Sequence, residues 1–282
     1  MSYIYKFASR IPNYVRRFGF FTGLKICLSV ESFKQRSKTS ENIAIFKIPN
    51  YQHTIHLRNT VSDHAIFWQC MVMEQYSISH FPHSRQLDQV YNNIISKNKT
   101  PVIIDCGGNI GLSAIYYANK YPHAKIIVVE PDTDNFKVLI KNTEKYGQQI
   151  QAFKGGVWNS SGFLKITNPD SGASAFQVEL TTLTETPDAV KCFTISELKE
   201  VVDNAVTLIV KVDIEGAQKQ VFSSNTEWIS QAPLIILELD DWLMPSQGTS
   251  QSFFKAVSQY PFEYLINAES IFCFNSNIFE SN

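Results

Sequence analysis

The sequence predicts an α/β fold built on a mostly parallel sheet, and three observations carry this prediction. From Pro101 onward, short apolar runs of strand length alternate with segments of helical periodicity. The runs at 206–213 and 234–239 are nearly continuous Val, Ile and Leu, which is typical of central parallel strands covered on both faces. A glycine-rich turn follows the predicted strand at 101–105, as in open α/β sheets that bind a ligand at their edge.

The elements of this sheet follow one another along the chain. A helix is predicted over 111–121, and Asp132 or Thr133 is predicted to cap a second helix that reaches about residue 146. Thr194 and Glu197 have the spacing of a capping box that opens a short helix. The predicted strands are 101–105, 124–130, 149–153, 206–213 and 234–239, followed by an antiparallel hairpin of 262–267 and 271–274.

The first hundred residues have a different pattern. Residues 1–45 predict one or two amphipathic helices that end in a polar linker at 35–42, and two short strands predict a hairpin over 43–57. Ser62 and Asp63 precede an apolar periodic run and are predicted to cap a helix. The predicted organisation is therefore a helical extension (1–45), a hairpin and helix region (46–100) and an α/β domain (101–282).

Composition limits the classes of function. The 282 residues carry 25 Lys and Arg against 26 Asp and Glu, and a net charge of -1 provides no global field that would attract nucleic acid. The five cysteines are scattered without a CxxC pair, which favours reduced thiols and a cytoplasmic location. No apolar run reaches the ~20 residues of a transmembrane helix, although basic and aromatic residues near the N-terminus leave peripheral membrane contact open.

The strongest sequence motif is a D-x-G-x-N-x-G turn formed by Asp105, Gly107, Gly108, Asn109 and Gly111. Its glycines allow a ligand to approach the backbone closely, but the dinucleotide fingerprint G-x-G-x-x-G does not fit from any of them. A carboxylate in this turn would repel a diphosphate and attract the ammonium and sulfonium of S-adenosylmethionine. The turn therefore predicts S-adenosyl-L-methionine as cofactor, with a turn that binds no ligand as the alternative.

Two further positions are predicted to contact this cofactor. Glu130 ends the second strand, 19 residues after Gly111, where a carboxylate can accept hydrogen bonds from both ribose hydroxyls. Val157 and Trp158 follow the third strand and are predicted to flank adenine at the rim of the site. The alternatives are a solvated Glu130 and a core position for Trp158.

A second acidic turn, D-x-E-G, follows the strand at 206–213 and contains Asp213 and Glu215. In a parallel sheet it points Asp213 toward the same cleft as Asp105. Because buried carboxylates are costly unless paired, two of them at adjacent strand ends indicate a cationic ligand or a general base. An ion pair between Asp213 and Lys211 is the structural alternative.

Taken together, these motifs resemble the FkbM family of methyltransferases. The similarity rests on the turn at 105–111, Glu130-Pro131, Val157-Trp158, the K-V-D-I-E-G segment at 211–216 and the I-L-E-L segment at 236–239. It extends upstream to about residue 53 through Arg58, Ser62-Asp63 and Glu74-Gln75-Tyr76.

The resemblance implies a Rossmann-like class I methyltransferase sheet in the order 3-2-1-4-5-7-6 with helices on both faces. It also implies S-adenosylmethionine as methyl donor and a hydroxyl acceptor on a sugar, glycan or natural product. Gln218 and Asp240 stand where the family commonly has an acidic residue and a His. These departures leave substrate choice and metal dependence open.

A hydroxyl acceptor must lose its proton as the new bond forms, so a general base is expected within hydrogen-bond reach. Asp213 is the first choice for this base, and Glu215 and Glu238 are the alternatives. The upstream segment supplies three residues predicted to border the acceptor pocket: Arg58, Glu74 and Tyr76.

Two other functions remain open at this point. One is a nucleotide-dependent oxidoreductase, which would need the missing third glycine. The other is a methyltransferase fold that has lost catalysis and serves as a scaffold. Five of the six histidines lie between residues 53 and 83, which raises the possibility of a metal site. Such a site is not predicted, because His53 and His56 fall on opposite faces of a predicted strand.

Overall fold

Two helices form the N-terminal extension in the computed structural model, which describes residues 3–36, 42–166, 178–181, 189–214, 216–242 and 244–280. Helix α1 spans Tyr3–Phe18 and α2 spans Phe20–Arg36. Gly19 turns the chain between them with a φ of 79°, a conformation that glycine adopts without steric cost. Helix α2 thus continues into the predicted linker at 35–42, of which residues 37–41 lie outside the described residues.

A hairpin and two further helices connect this extension to the sheet. The hairpin confirms the two predicted strands, which pair antiparallel. A π-helical turn, Trp68–Val72, directly follows the first of the two helices. The elements are β1 (Ile43–Phe46), β2 (Ile55–Arg58), α3 (Val61–Phe67) and α4 (His83–Ser96).

The predicted cap of α3 is wrong by two residues. The hydroxyl of Thr60, not Ser62 or Asp63, accepts the backbone N–H of Asp63 at 3.1 Å. Asp63 lies inside the first turn, and its carboxylate binds Arg58 at 2.7 Å. The motif therefore marks the start of the helix correctly but assigns the capping oxygen to the wrong side chain.

The central sheet has seven strands in the part of the chain that the structure describes. They are β3 (Thr100–Cys106), β4 (Lys125–Glu130), β5 (Ile150–Lys154), β10 (Ala205–Val212), β11 (Leu234–Glu238), β12 (Phe262–Asn267) and β13 (Ser270–Asn275). Their spatial order is β12-β13-β11-β10-β3-β4-β5, which reads 3-2-1-4-5-7-6 from the other edge when they are numbered along the chain. The first five pair in parallel, and the β12–β13 hairpin is antiparallel, as predicted.

A second, four-stranded sheet lies between β5 and β10 in the chain and is not predicted by the sequence. Its order is β6-β9-β7-β8, and its strands are β6 (Gly156–Val157), β7 (Gly162–Ile166), β8 (Val178–Thr181) and β9 (Val190–Phe193). These strands have two to five residues, too few for a period-two pattern to stand out.

Of the remaining helices, α5, α6 and α7 begin close to the predicted positions, and α8, α9 and α10 were not predicted. Asp132 caps α6 and Thr194 forms a capping box with Glu197 at the start of α7, so both predicted caps are confirmed. Helix α6 is shorter than predicted, because the chain continues from residue 144 as a 3₁₀ turn. No described helix is long and apolar enough to cross a membrane. The bounds are α5 (Leu112–Lys120), α6 (Thr133–Thr143), α7 (Ile195–Glu200), α8 (Gln218–Val221), α9 (Thr249–Val257) and α10 (Ser276–Glu280).

Alternation along the central strands divides the core into two clusters, one on each face of the sheet. Ile103 packs on one face with residues of α4, α5 and α6, whereas Val102 and Ile104 pack on the other with residues of α7, α8 and α9. Tyr14 and Val30 of the N-terminal helices belong to the same cluster as Ile103. Helices therefore cover both faces of the sheet, and the extension shares its core.

Candidate active site

The glycine turn after β3 makes close contact with the neighbouring strands. Gly107 and Gly108 both donate their backbone N–H to the carbonyl of Val129, at 3.0 and 2.9 Å. A Cβ atom on Gly107 would lie 1.8 Å from the carbonyl oxygen of Asp213, and one on Gly108 would lie 2.1 Å from Cγ2 of Val128. Both positions therefore require glycine, and the turn lies directly beside the segment that follows β10.

Asn109 and Gly111 complete the turn. Both adopt a left-handed conformation, with φ of 49° and 85°, and Gly111 precedes α5. The side-chain oxygen Oδ1 of Asn109 is buried and has no hydrogen-bond partner among the described residues. A buried acceptor without a donor is costly, so this atom marks a place where a ligand can supply the missing hydrogen bond.

Glu130 at the end of β4 lies next to this turn. Its Oε2 accepts the backbone N–H of Asn109 at 2.8 Å, and its Oε1 accepts the backbone N–H of Asp132 at 2.9 Å. Burial raises the pKa of this carboxyl above its ordinary value, and the two backbone donors partly oppose that shift. The sequence placed Glu130 at the ribose position, and the structure brings its carboxylate to the turn that would hold the rest of the cofactor.

Asp105 has a different environment from the one the sequence suggests. Its side chain has no exposed surface, its Oδ1 lies 2.9 Å from the ammonium of Lys211, and its Oδ2 accepts the hydroxyl of Ser113 at 2.5 Å. Both carboxylate oxygens thus have partners within the protein. Asp105 therefore has a structural role beside the turn. Its direct contact with a cofactor ammonium stays a prediction.

Lys211 connects the two acidic strand ends. It lies opposite Asp105 in the register of β10 and β3, and its ammonium also lies 3.4 Å from Asp213 and donates to the carbonyl of Gly107 at 3.1 Å. Burial opposes the charged form, but the two carboxylates outweigh it and raise the pKa of Lys211. The ion pair that was the structural alternative for Asp213 is therefore present, and it includes Asp105.

Asp213 is the accessible member of this cluster, because its side chain is 28% exposed. Its Oδ2 accepts the hydroxyl of Tyr76 at 2.9 Å, and the ring of Tyr76 lies 5.1 Å from the ammonium of Lys211. Burial and the nearby Asp213 hold the pKa of Tyr76 well above its ordinary value, so Tyr76 stays a neutral donor. The structure thus joins a predicted substrate residue to the predicted base.

Glu238 ends β11, one strand further along the sheet, and is partly buried. Burial, together with the charges of Asp213 and Glu269, raises its pKa to about 8. Glu269 lies in the tight turn between β12 and β13 and forms a hydrogen bond with Glu238. Asp213, Glu238 and Glu269 therefore form a group of carboxyl side chains at one end of the sheet. Glu215, the other alternative base, lies outside the described residues.

The two apolar residues predicted to flank adenine are both buried. Val157 packs in the core cluster on the α7 face of the sheet. Trp158 packs with Leu164 and Cys192 under the small second sheet. The adenine contact remains a prediction for both residues. Trp158 is buried in a small core cluster, which agrees with the alternative given for it.

The three residues predicted to border the acceptor pocket are not brought together. Arg58 binds Asp63 and donates to Asn135 at 2.6 Å, and Asn135 in turn reaches the carboxylate of Glu130, so Arg58 lies on the cofactor side. Glu74 pairs with Arg17 of α1 at 2.9 Å. Of the three, Tyr76 is the one that contacts the acidic cluster.

Glu74 lines a separate cavity of about 270 Å³ beside the N-terminal extension. Every side chain around this cavity carries a nitrogen or an oxygen, and none belongs to the glycine turn, to Glu130 or to the acidic cluster. The lining residues are Arg17, Asn50, Tyr51, Glu74, Ser77, Ser79, Tyr116, Asn119 and Lys120.

The two residues that depart from the family pattern lie on different segments: Gln218 is the first residue of α8, and Asp240 follows β11. Gln218 is buried and donates its side-chain amide to the carbonyl of Glu238. Asp240 is also buried, and its Oδ2 accepts the backbone N–H of Gly216 at 2.9 Å. Both side chains thus tie the loop after β10 to the end of β11. Within the described ranges, no group of three His, Cys, Asp or Glu side chains could hold a metal ion.

The matching family model is described as the methyltransferase FkbM domain, and it covers residues 105–261, more than half of the 282-residue chain. The chain belongs to this family. The acidic and glycine positions from Asp105 to Glu238 lie within the matched range or at its first residue. Tyr76 lies upstream of this range, and Glu269 lies downstream of it.

Relatives of the family carry methyltransferase names. Methyltransferase sdnD of Sordaria araneosa is 32% identical over 133 residues, which cover 45% of this chain and 49% of that protein. Hexuronic acid methyltransferase AglP of Haloferax volcanii is 26% identical over 149 residues, which cover 52% and 59%. The chain thus spans about half the length of the curated relatives it matches. Among solved structures, the N-terminal domain of human METTL16 in complex with SAH aligns at 11% identity and a TM-score of 0.37, covering 95% of this chain and 91% of that one.

Membership in the FkbM family identifies S-adenosylmethionine as the cofactor, and the residues at the sheet edge fit it. The glycine turn offers an approach free of side chains, and the orphaned Oδ1 of Asn109 offers an acceptor. The carboxylate of Glu130 lies beside the turn, and its contact with the ribose hydroxyls stays a prediction. Among the described carboxylates beside the turn, Asp213 has exposed surface, so a bound molecule can reach it.

Proposed function

We propose that this protein transfers the methyl group of S-adenosylmethionine to a hydroxyl of a sugar, glycan or natural product, with Asp213 as general base. When bound, the cofactor supplies a methyl group on a sulfonium, which is a good leaving group. The protein then has two tasks, to hold the acceptor oxygen in line with the methyl carbon and to take the hydroxyl proton.

The observation that carries this proposal is the position of Asp213. Its backbone packs against Gly107 so closely that a Cβ on that glycine would collide with it, and its carboxylate is partly exposed. An acceptor hydroxyl near the cofactor turn would therefore be within reach of this carboxylate. The hydroxyl of Tyr76 and the ammonium of Lys211 fix its orientation.

Electrostatics favour Asp213 over Glu238 as the base at neutral pH. With a pKa of about 8, Glu238 is mostly protonated at pH 7, so only a small fraction of it is available as a base there. Asp213, in contrast, has the ammonium of Lys211 3.4 Å away and accepts the hydroxyl of Tyr76 at 2.9 Å, so a cation and a hydrogen-bond donor both face its carboxylate. Glu238 and Glu269 then contribute a hydrogen-bonding surface at the acceptor side of the sheet.

The class of acceptor is supported by one of the relatives. AglP is named a hexuronic acid methyltransferase, so oligosaccharides that contain hexuronic acid are the first acceptors to test. A sugar hydroxyl is a weak nucleophile with a high pKa, and for this reason a base beside it is needed. A cluster of three carboxyl groups with one tyrosine is suited to hydrogen bonding with a polyhydroxylated ligand.

The test combines ligand binding with methyl transfer. Calorimetric titration with S-adenosylhomocysteine is expected to give equal affinity for the wild type and Asp213→Asn, within about threefold. Transfer of labelled methyl groups to hexuronic acid oligosaccharides is expected to fall at least about 100-fold in Asp213→Asn. Asp203→Asn, a change at an exposed carboxylate, is the matched control and should leave both unchanged.

The outcomes separate the remaining functions. Binding of S-adenosylhomocysteine without transfer to any of a broad panel of hydroxyl acceptors would favour a non-catalytic methyltransferase fold. Full turnover in Asp213→Asn would assign the proton to another group. A wild-type protein that binds neither S-adenosylmethionine nor S-adenosylhomocysteine would overturn the proposal.

A further inference from the structure

The two N-terminal helices carry a charge that differs from that of the rest of the chain. Residues 1–36 contain seven Lys or Arg and one acidic residue, Glu31, and so carry a net charge of +6, whereas the whole chain carries -1. The N-terminal helices thus carry a net positive charge, whereas the remaining residues carry a net negative one. A local excess of this kind attracts an anionic surface even where the protein as a whole has no net field.

Part of this charge is used within the fold, and part faces solvent. Arg10 and Arg17 each form an ion pair with a glutamate, at 2.7 and 2.9 Å. Arg16 and Lys25 are exposed, and neither forms an ion pair with any residue in the part of the chain described here. These two side chains are therefore open to an external anion.

Two phenylalanines are exposed at the turn between the helices. Phe20 and Phe21 are 63% and 85% exposed, and their rings contact each other edge to face at 5.3 Å between centroids. The turn is held closely, since a Cβ on Gly23 would lie 2.4 Å from the carbonyl oxygen of Tyr14 on α1. The two rings therefore lie in solvent beside a closely packed contact between α1 and α2.

The exposed side of α2 continues this apolar and basic surface. Phe21, Lys25 and Leu28 lie four and three residues apart, which places them on one face of the helix. Leu28 is 50% exposed, whereas Cys27 and Val30 on the opposite face are buried. The helix therefore presents apolar side chains to solvent with a cation between them.

We propose that the α1–α2 turn and the exposed face of α2 form a docking surface for an anionic lipid bilayer. Phe20, Phe21 and Leu28 would enter the interface between headgroups and acyl chains, and Arg16 and Lys25 would contact lipid phosphates. This combination of aromatic, aliphatic and basic residues on one helical face is the one by which interfacial helices bind membranes. It goes beyond the proposed methyl transfer and does not depend on it.

The test uses the full chain and sedimentation with large unilamellar vesicles. Vesicles of phosphatidylcholine with about 30% phosphatidylserine are expected to bind the wild type, and vesicles of phosphatidylcholine alone to bind it at least about tenfold more weakly. Phe20→Ser/Phe21→Ser is expected to lose at least about tenfold in affinity for the anionic vesicles. Arg16→Gln/Lys25→Gln should lose about as much, and the loss should disappear at high salt because charge attraction is screened there.

Two matched controls use residues outside the surface. Val61→Ser/Ile266→Ser removes two apolar side chains elsewhere that are 80% and 76% exposed. Lys97→Gln/Lys99→Gln removes two exposed cations in the loop after α4. Neither control should change vesicle binding. Thermal unfolding of each variant checks that the fold is intact, as expected for exposed positions.

Three results would overturn the proposal. The first is a wild type that fails to bind the anionic vesicles at low salt. The second is binding that Phe20→Ser/Phe21→Ser does not weaken. The third is a wild-type dimer that becomes a monomer in Phe20→Ser/Phe21→Ser without any vesicle binding, since the surface would then be covered by a second copy of this chain.

Discussion

The cofactor half of the sheet edge and its acceptor half are built in different ways. In the cofactor half, most of the site is formed by the backbone of the glycine turn. Glu130, 21 residues from Asn109 in the chain, binds that backbone. In the acceptor half, the groups are side chains from distant parts of the chain. Tyr76 and Asp213 are separated by 137 residues and are brought together by the fold.

This difference determines what each half tolerates. A backbone site requires that no side chain fills it. Any atom added at Gly107 or Gly108 would therefore clash with its neighbours and disturb the site. A side-chain cluster depends on the balance of its charges, and among the described residues Lys211 is the cation that pairs with both Asp105 and Asp213. We therefore expect charge changes to have the largest effects in the acceptor half and steric changes to have the largest effects in the cofactor half.

The largest effect is expected for Lys211→Met. The change leaves Asp105 buried without a counter-ion, and breaking a buried ion pair in this way costs about 3–5 kcal/mol of unfolding free energy. Urea denaturation at pH 7 measures it. Asp105→Asn/Lys211→Met removes the unpaired charge and should recover more than half of the loss. A loss below about 1 kcal/mol for Lys211→Met would show that the pair does not stabilise the fold.

A smaller loss is expected for Gly108→Ala, which adds one methyl group to the turn. Its Cβ would lie 2.1 Å from Cγ2 of Val128, and overpacking of this kind costs about 1–3 kcal/mol. We expect weaker binding of S-adenosylhomocysteine together with a lower melting temperature. Val128→Ala makes room for the new methyl group, so Gly108→Ala/Val128→Ala should regain affinity relative to Gly108→Ala. If the second change restores nothing, the steric explanation is wrong.

The same contrast explains how much the sequence could predict. The glycine turn, Glu130 and the strands of the central sheet are local patterns, and the structure has them within one or two residues of the prediction. Glu269 was missed because its role depends on the β12–β13 hairpin lying against β11, which pairs Ser270 with Glu238. A topology argument could have found it, since an antiparallel hairpin at this edge must turn beside the end of β11.

Two predicted substrate residues pair outside the acidic cluster. Arg58 binds Asp63 and Glu74 binds Arg17, and a single sequence does not show such pairings. The second sheet was missed because its strands are short. Burial of Asp105 could have been anticipated, because it sits inside a continuous apolar strand rather than after it.

Glu130→Ala is expected to weaken S-adenosylhomocysteine binding about tenfold or more, as the loss of a charged hydrogen-bond acceptor predicts. Calorimetry measures the affinity, and the melting temperature without ligand shows how much the loss of the Asn109 and Asp132 contacts disturbs the turn itself. Glu144→Ala, an exposed carboxylate on the following 3₁₀ turn, is the control. Equal affinity in both variants would remove Glu130 from the cofactor site.

The smallest effect concerns the pH dependence of stability at Glu238. The pKa of Glu238 is about 8 in the folded protein, against an ordinary value of 4.5 that applies to the unfolded chain. The folded state therefore binds the proton more tightly, and the free energy of unfolding falls as the pH rises from about 5 to 8. Glu238→Gln keeps a neutral group in place and removes this fall. Because Glu238 is partly exposed, the difference between pH 6 and pH 9 in urea denaturation should be about 1 kcal/mol after solvent screening. The control is Glu200→Gln, a change at an exposed carboxylate, which should retain the wild-type pH profile of stability. If Glu238→Gln also retains the wild-type profile, Glu238 is ionised at neutral pH and competes with Asp213 as the base.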